Sequence, residues 1–252
     1  MGRAGSVSMM SSLGQLLSKV RQLETDALVK VRQLLSPSPV DAYRSTPEVL
    51  VTSTLRVRGH IETDALVAAT GLDDDQIGAL MIGLQDAGHV SYREGLVVGW
   101  ALTPEGRTYG ETLLAEELEI SGVRSTIETA YKDFLKVNQD FLDLCTDWQL
   151  RPNPDGDLIV NDHSNANHDA MVVARLGDAE AAFRVVSASL AGVLSRFEKY
   201  GVRFTAAAAR VCAGEVEWFT RPMIDSCHTV WFELHENLLA TLGIERAHEH
   251  AG

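Results

Sequence analysis

The order of apolar and polar positions between residues 46 and 107 predicts three helices, a hairpin and a further helix. Thr46, Pro47 and Glu48 are typical of a helix start. They supply a capping hydroxyl, a proline at the first helical position and an acid near the positive end of the helix dipole. We therefore predict a first helix that continues to Gly59.

A short second helix is predicted after this glycine. Thr63 is the predicted cap, residues 64–70 form the helix, and Gly71 ends it.

The third predicted helix has the most specific start. Asp73 and Gln76 have the spacing of a capping box, and Leu72 and Ile77 have that of a hydrophobic staple. A buried stripe at i, i+3, i+4 and i+7 follows, and Gly88 stands where a C-terminal glycine belongs. The stripe is Ile77, Leu80, Met81 and Leu84.

Two β-prone runs follow, residues 90–93 and 96–102, with Glu94-Gly95 as the predicted turn between them. The phrase Leu102-Thr103-Pro104-Glu105-Gly106-Arg107 then begins another helix. With this phrase the stretch resembles the MarR-like winged helix-turn-helix regulators, in which a very similar phrase closes the wing. The resemblance covers about a quarter of the chain and implies a winged helix-turn-helix at residues 46–120.

The resemblance implies a transcription regulator that binds DNA as a dimer. Regulators of this kind present polar and basic side chains from the long helix to the major groove and basic side chains from the wing. Carried onto this chain, Gln76 and Arg93 would contact bases or a groove. Arg56, Arg58 and Arg107 would contact phosphates.

The charge distribution conflicts with that implication. Residues 61–120 contain two Lys/Arg and twelve Asp/Glu, which gives a net charge of −10. Residues 1–60 contain eight Lys/Arg and four Asp/Glu, which gives a net charge of +4. Non-specific affinity for DNA comes mainly from protein cations that displace counterions, so ordinary duplex binding would be weak. Duplex binding would be restored if the fold brought arginines from different parts of the chain together, or if a dimer doubled their number.

The exposed face of the third helix allows a second interpretation. Gly78, Ala79, Ile82 and Gly83 form an uncharged strip, bordered by acids, on which another protein would dock. Alternatively, the small residues only allow two helices to pack closely. The choice between a DNA-binding regulator and a protein-interaction module stays open.

The remaining chain predicts a mainly α-helical protein, with a small hairpin wing and a helical bundle. Residues 1–45 contain a basic amphipathic helix and a linker. The helix is interpreted as a dimer arm or a partner-binding helix, with a marginal extension that frays when alone as the alternative. Helices are predicted at 103–120 and 123–148, the second connecting to a polar loop at 151–168 that marks a domain boundary. A C-terminal bundle, 169–252, has helices at 178–200, 204–213 and 224–242.

The sequence contains no strong motif for catalysis or metal binding. The three cysteines are far apart, with no CxxC pair, which argues against a zinc site or a disulfide framework. His163 and His168 are better explained by a solvated turn than by metal binding, and His228 and His235 are too far apart on one helix to bind one zinc ion. No phosphate-binding or nucleophile motif occurs, so we expect no enzyme, no metal and no cofactor.

A second, weaker resemblance concerns the protein-interaction alternative. The phrases Asn138-Gln139-Asp140-Phe141, Thr146-Asp147-Trp148-Gln149-Leu150, Asn161-Asp162-His163 and residues 228–236 are similar to the winged-helix and bundle segment of some bacterial pyruvate phosphate dikinase-like enzymes. This resemblance implies an accessory to a phosphotransferase that uses phosphoenolpyruvate or pyruvate. The phosphohistidine and nucleotide-binding parts of such enzymes are missing from this chain.

Four aromatic residues are candidates for an effector pocket, since MarR-like regulators commonly bind small ligands between the wing domain and the dimer helices. They are Trp148, Trp218, Phe219 and Trp231, although core packing also explains them. No effector can be named. The chain lacks a signal-peptide pattern and an apolar run of roughly 18 residues, so we expect a cytoplasmic protein without membrane contact.

Overall fold

The computed structural model describes residues 42–95 and 98–246 and shows a mainly α-helical protein with two antiparallel hairpins. This confirms the predicted fold class. The predicted N-terminal helix lies outside the described residues. The helices are α1 (Pro47–Arg58), α2 (Thr63–Thr70), α3 (Asp74–Asp86), α4 (Pro104–Ser121), α5 (Arg124–Gln149), α6 (Ala166–Ala191), α7 (Glu198–Cys212), α8 (Glu217–Thr220) and α9 (Cys227–Leu242). The strands are β1 (Val90–Arg93), β2 (Gly99–Leu102), β3 (Leu150–Pro152) and β4 (Leu158–Val160).

The predicted starts of α1 and α3 are confirmed at atomic detail. The Thr46 hydroxyl accepts a hydrogen bond from the Val49 backbone N–H at 3.3 Å, and α1 ends at Gly59. At α3, the Asp73 carboxylate accepts from the Gln76 backbone N–H at 2.8 Å, and the Gln76 side-chain oxygen accepts from the Asp73 backbone N–H at 3.2 Å. Both ends of the capping box are therefore satisfied.

The predicted cap of α2 is wrong. Thr63 is the first residue of the helix, and Glu62 precedes it without a side-chain capping bond. The Thr63 hydroxyl instead accepts a hydrogen bond from Trp100 Nε1 at 3.1 Å. The hydroxyl thus joins α2 to β2, a long-range contact that the local pattern could not reveal.

The second strand of the first hairpin begins later than predicted. Val90 pairs with Leu102 and Arg93 with Gly99, which are the two ends of the pairing. The predicted strand at 96–102 therefore begins at Gly99, and residues 96 and 97 lie outside the described part.

A backbone bridge fixes the hairpin against the α1–α2 connection. Ile61 and Trp100 exchange hydrogen bonds of 3.1 and 2.8 Å. Gly99, at φ 130°, is required here because a Cβ would lie 2.6 Å from the Ile61 carbonyl oxygen. The three helices and the hairpin thereby form one unit.

Two main cores hold the described residues together. The smaller lies within α1–α3 and the hairpin and includes Val51, Ile77 and Val90. The larger lies among α5, α6, α7 and α9 and includes Phe134, Phe183 and Phe204. A small cluster of Val49, Leu114 and Ala240 joins α1, α4 and α9. Among the described residues no helix is both long and apolar enough to cross a membrane.

The second half departs from the predicted elements in the polar segment. The predicted loop at 151–168 contains the hairpin of β3 and β4, and α6 begins at Ala166 rather than at residue 178. Asn165 caps this helix by accepting a hydrogen bond from the His168 backbone N–H at 3.2 Å. The helices on both sides of the segment, α5 and α6, contribute to the larger core.

The predicted helix at 178–200 is divided. It ends at Ala191, and Tyr43 makes backbone hydrogen bonds to Val193 and Ser195 where the chain leaves it. A 3₁₀ turn, Ser195–Phe197, then leads into α7, which begins before the predicted residue 204. Helix α9 begins at Cys227 rather than residue 224 because Ser226 is its cap.

Candidate functional site

The α3 surface, defined here as the outward residues Asp74, Asp75, Ala79, Ile82 and Gly83, is exposed as predicted from the helix phase. Ile82 is 63% exposed. Gly78 is half-buried, with nothing within 4 Å of the position a Cβ would take. The small residues therefore do not mark a close helix contact among the described residues.

Gln76 is poorly placed to read a base. Its side-chain oxygen is already an acceptor in the capping box. Bidentate recognition of adenine by glutamine needs both the oxygen and the amide nitrogen. While the cap is intact, Gln76 would have to share this oxygen between the Asp73 backbone N–H and a base.

Two of the predicted phosphate-contacting arginines are paired with carboxylates. Arg56 lies 2.6 Å from the Glu111 carboxylate. Arg58 lies 3.5 Å from Asp225 and 3.4 Å from Glu233. A phosphate would have to compete with these carboxylates.

Arg93 and Arg107 are exposed and form no ion pair with any described residue. Arg93 ends β1 opposite Gly99, next to the hairpin loop. Arg107 lies in the first turns of α4. Of the five predicted DNA contacts, three side chains are therefore engaged with other residues, and two form no ion pair with the described part of the chain.

The predicted effector aromatics belong mainly to the bundle core. Trp148 stacks on Phe219 with ring centroids 4.6 Å apart, and Trp231 stacks on Phe141 at 4.0 Å. Trp218 lies under the Arg210 guanidinium, 4.0 Å from the ring centroid. Their contacts favour the core-packing explanation, and none of the four lines the cleft described next.

A cleft of about 750 Å³ lies between α1–α2 on one side and the 3₁₀ turn, α7 and α9 on the other. Among the sequence-predicted residues only Arg58 lines it. The charged residues of its wall are Arg44, Arg58, Arg196, Lys199 and Arg203, with Glu198, Asp225 and Glu233.

Arg203 is the centre of an ion-pair network in this cleft. Its Nε and Nη2 donate to the two Asp225 oxygens at 2.9 and 2.8 Å, and its Nη1 lies 2.6 Å from Glu233. Burial opposes the charged form of Arg203, but its bonds to Asp225 and Glu233 raise its pKa overall. The hydrogen bonds from Arg203 lower the pKa of Asp225, more than burial raises it. Together with Arg58, the network joins α1 to α7 and α9.

Lys199 has a different environment. Its ammonium donates to the carbonyl oxygens of Ala68 and Ala69, at 2.9 and 2.8 Å, in the last turn of α2. It forms no ion pair with a described carboxylate. Burial, followed by the charges of Arg203 and Arg58, lowers the pKa of Lys199.

The mouth of the cleft adds two polar side chains from the segment before α1. Arg44 is exposed and has no ion pair with a described residue. The Ser45 hydroxyl is buried and has no hydrogen-bond partner among the described residues. Buried hydroxyls are usually satisfied, so an unpaired one in a cavity wall requires an explanation.

The sequence analysis missed Lys199, Arg203, Asp225 and Glu233. One signal was present: Glu233 lies on the apolar face of α9 with Val230, Leu234 and Asn237. A carboxylate on a buried stripe usually has a partner. The partner's identity depends on the packing of α7 and α1 against α9, which no local pattern encodes.

The polar turn before α6 is held by its own side chains. His163 Nδ1 lies 3.0 Å from Asp169, and the buried Asn161 amide donates to Asp169 at 2.9 Å and to the Trp148 carbonyl at 3.0 Å. Within the described ranges, no group of three or more His, Cys, Asp or Glu side chains is placed to hold a metal ion.

The α9 histidines pack against helices: His235 is buried beside Tyr131 and Phe134, and burial lowers the pKa of His228.

Comparison with known proteins gives no match to a protein-family model, to a curated protein or to a solved structure.

Proposed function

We propose that this chain is a non-enzymatic winged-helix regulatory protein that acts by docking its α3 surface on a partner protein. The observation that carries the proposal is that the α3 face has no Lys or Arg, while Arg56 is bound to Glu111 and Arg58 lies in the cleft near Asp225 and Glu233. A DNA-binding winged helix needs such side chains free for phosphates.

The order of elements supports the winged-helix assignment. Three helices precede an antiparallel hairpin, and the Ile61–Trp100 bridge ties the hairpin to the α1–α2 connection. Helix α3 then corresponds to the recognition helix and β1–β2 to the wing. Its position makes α3 the natural contact surface of the unit.

The chemistry of the α3 surface specifies the partner. Its centre is apolar, with Ala79 and the 63% exposed Ile82, and its border carries Asp74, Asp75 and Asp86. The complement is a protein surface with an apolar knob surrounded by Lys and Arg. A second copy of α3 would bring acids against acids, so self-docking by this face is disfavoured.

A synthetic helical peptide with a Leu stripe flanked by Lys tests this chemistry. In fluorescence anisotropy it should bind the full chain, and the same peptide with Glu in place of Lys should not. Ile82→Asp should abolish binding. Ile120→Asp is the matched control, because Ile120 is 71% exposed on α4, away from α3. Equal binding by the Ile82→Asp and Ile120→Asp variants would overturn the docking proposal.

DNA binding as a dimer is the second candidate, and Arg93 and Arg107 favour it because both are exposed and unpaired among the described residues. Anisotropy with mixed genomic duplex at low salt separates the two proposals. Under the first, micromolar protein should leave the duplex free. Salt-sensitive binding that Arg93→Gln with Arg107→Gln removes would replace the first proposal with the second.

A further inference from the structure

We propose that the cleft between α1–α2 and α7–α9 binds a small organic anion. Its carboxylate or phosphate head would lie against Arg44, Arg58 and Lys199, and its apolar body against α1 and α2. This inference does not depend on what the α3 surface binds, because none of the residues of the α3 surface lines the cleft.

The shape of the cleft suits a small molecule. Its volume of about 750 Å³ lies within the range of roughly 300–1,000 Å³ that is usual for ligand pockets. The wall from the 3₁₀ turn, α7 and α9 is polar and charged, and the α1–α2 wall is mixed. Its apolar residues lie among Ser53, Thr54, Arg58 and Thr70 and include Leu50, Val57, Ala65, Ala69 and Leu72.

The charge of the wall is opposite to that of the protein. Five cationic and three acidic side chains line the cleft, whereas the whole chain has a net charge of −13. Two of the three acids, Asp225 and Glu233, are bound to Arg203, and the third, Glu198, is exposed. The cleft is therefore a positive site on an acidic protein, and it should concentrate anions locally.

The hydrogen bonds show which cations can accept a ligand. All three nitrogens of Arg203 are engaged with Asp225 and Glu233. Those of Arg196 are engaged with Glu117, Asn237 and Thr241.

Three cations of the cleft keep donor capacity. Arg58 has long contacts of 3.4 and 3.5 Å to its carboxylates. Lys199 donates only to neutral carbonyls, of Ala68 and Ala69, and Arg44 forms no ion pair with a described residue. An anion between Arg44, Arg58 and Lys199 would meet donors that no described carboxylate satisfies well.

An anion at this position would also offset the repulsion of Lys199 by Arg203 and Arg58, which adds to the effect of burial in lowering the Lys199 pKa.

Calorimetric titration and thermal unfolding of the full chain test the inference, with phenyl phosphate and benzoate as probes. Either anion should bind saturably and raise Tm, and the stronger of the two identifies the preferred head group. Inorganic phosphate, which lacks the apolar body, should bind more weakly, and benzylamine should not bind. If neither aromatic anion binds at millimolar concentration, the inference is wrong.

Substitutions locate the site. Lys199→Met and Arg44→Gln should each weaken binding by about tenfold, the cost of one charged hydrogen bond. Lys132→Met, an exposed lysine on α5 outside the cleft, should change nothing. Lys199 also caps α2, so Arg44→Gln, which removes no ion pair, is the decisive variant if Lys199→Met fails to fold. Unchanged affinity in Arg44→Gln would overturn the assignment.

Discussion

Arg196 and Glu117 form an ion pair that is removed from solvent. Arg196 Nε donates to Glu117 Oε2 at 2.8 Å, and each side chain is only 2% exposed. The remaining nitrogens of Arg196 donate to Asn237 and Thr241 on α9. One guanidinium therefore joins the 3₁₀ turn after α6 to α4 and α9, and so fixes the bundle against the first half of the chain.

Glu117→Ala should lower the free energy of unfolding by about 3–5 kcal/mol, because it leaves the Arg196 charge buried without a counterion. Chemical denaturation measures the effect. Glu116→Ala is the matched control, since Glu116 is the exposed neighbour on α4, and it should change stability by less than about 0.5 kcal/mol. Equal effects of the two variants would contradict a structural role for the buried pair.

Replacing both members of the Arg196–Glu117 pair should destabilise the protein less than removing one of them. Glu117→Leu combined with Arg196→Met removes both charges, so no uncompensated ion remains in the interior. We expect the double variant to be less destabilised than Glu117→Ala. Strictly additive losses, measured in a double-mutant cycle, would show that the two side chains do not act together.

Two helical glycines should respond to alanine in opposite directions. In Gly106→Ala the Cβ would lie 1.8 Å from the His89 carbonyl oxygen, so α4 must move away from β1, at a cost of about 3 kcal/mol. In Gly78→Ala the Cβ meets nothing within 4 Å, and helix propensity should stabilise the protein by roughly 0.5–1 kcal/mol. Urea unfolding of both variants checks the signs. A neutral Gly106→Ala would mean that α4 and His89 are not in this close contact.

The local part of the fold was predictable and the long-range part was not. Caps and turns such as Asp73–Gln76, Thr46 and Thr103 act within four residues, so the sequence predicted α1, α3 and α4 closely. The sequence predicts a start of α6 that is too late, because Gly177-Asp178 resembles a helix start. Inside the bundle the core contacts of Val172 and Leu176 continue the helix through this glycine.

The candidate site also depends on long-range packing that the sequence does not reveal. The sequence assigned Arg58 to phosphate because its carboxylate partners are distant along the chain. Asp225 lies 167 positions from Arg58, and Arg203 and Lys199 come from another helix. Only the packing of α1 and α2 against α7 and α9 brings these charges together, so the cleft has no signature in a local pattern.

The three thiols should differ sharply in reactivity. Burial raises the pKa of Cys145 to about 12 and also raises that of Cys227, whereas Cys212 is exposed. Because the thiolate is the reactive form, iodoacetamide should label one thiol quickly in the folded protein and all three in denaturant. Cys212→Ser should remove the fast phase. Fast labelling of two thiols in the native protein would contradict the described burial.

Asp225 should contribute to stability in a pH-dependent way. Arg203 holds the pKa of Asp225 below its ordinary 3.8 in the folded protein. The contribution is therefore complete above the unfolded pKa and is lost as the pH falls through the lower folded value. Asp225→Asn should lower Tm at neutral pH and reduce its fall in acid. Asp86→Asn, an exposed aspartate of α3, is the control and should follow the parent curve.

The last prediction tests whether the α3 surface keeps the geometry of a DNA-reading helix. Adding cations with Asp75→Lys, Ala79→Arg and Gly83→Lys, all at exposed positions, should create duplex binding if only charge prevents it. The slope of log affinity against log salt should steepen by up to about 0.9 for each new phosphate contact.

A control with the same change of charge separates geometry from net charge. This control makes the same change of charge at exposed positions of α5, with Glu128→Lys, Thr129→Arg and Gln139→Lys. If α3 has recognition-helix geometry, only the α3 variant should bind duplex tightly, because its cations follow one groove-sized helix face next to the hairpin. Equal duplex binding by both variants would mean that charge alone is responsible, and the winged-helix interpretation of α3 would lose its support.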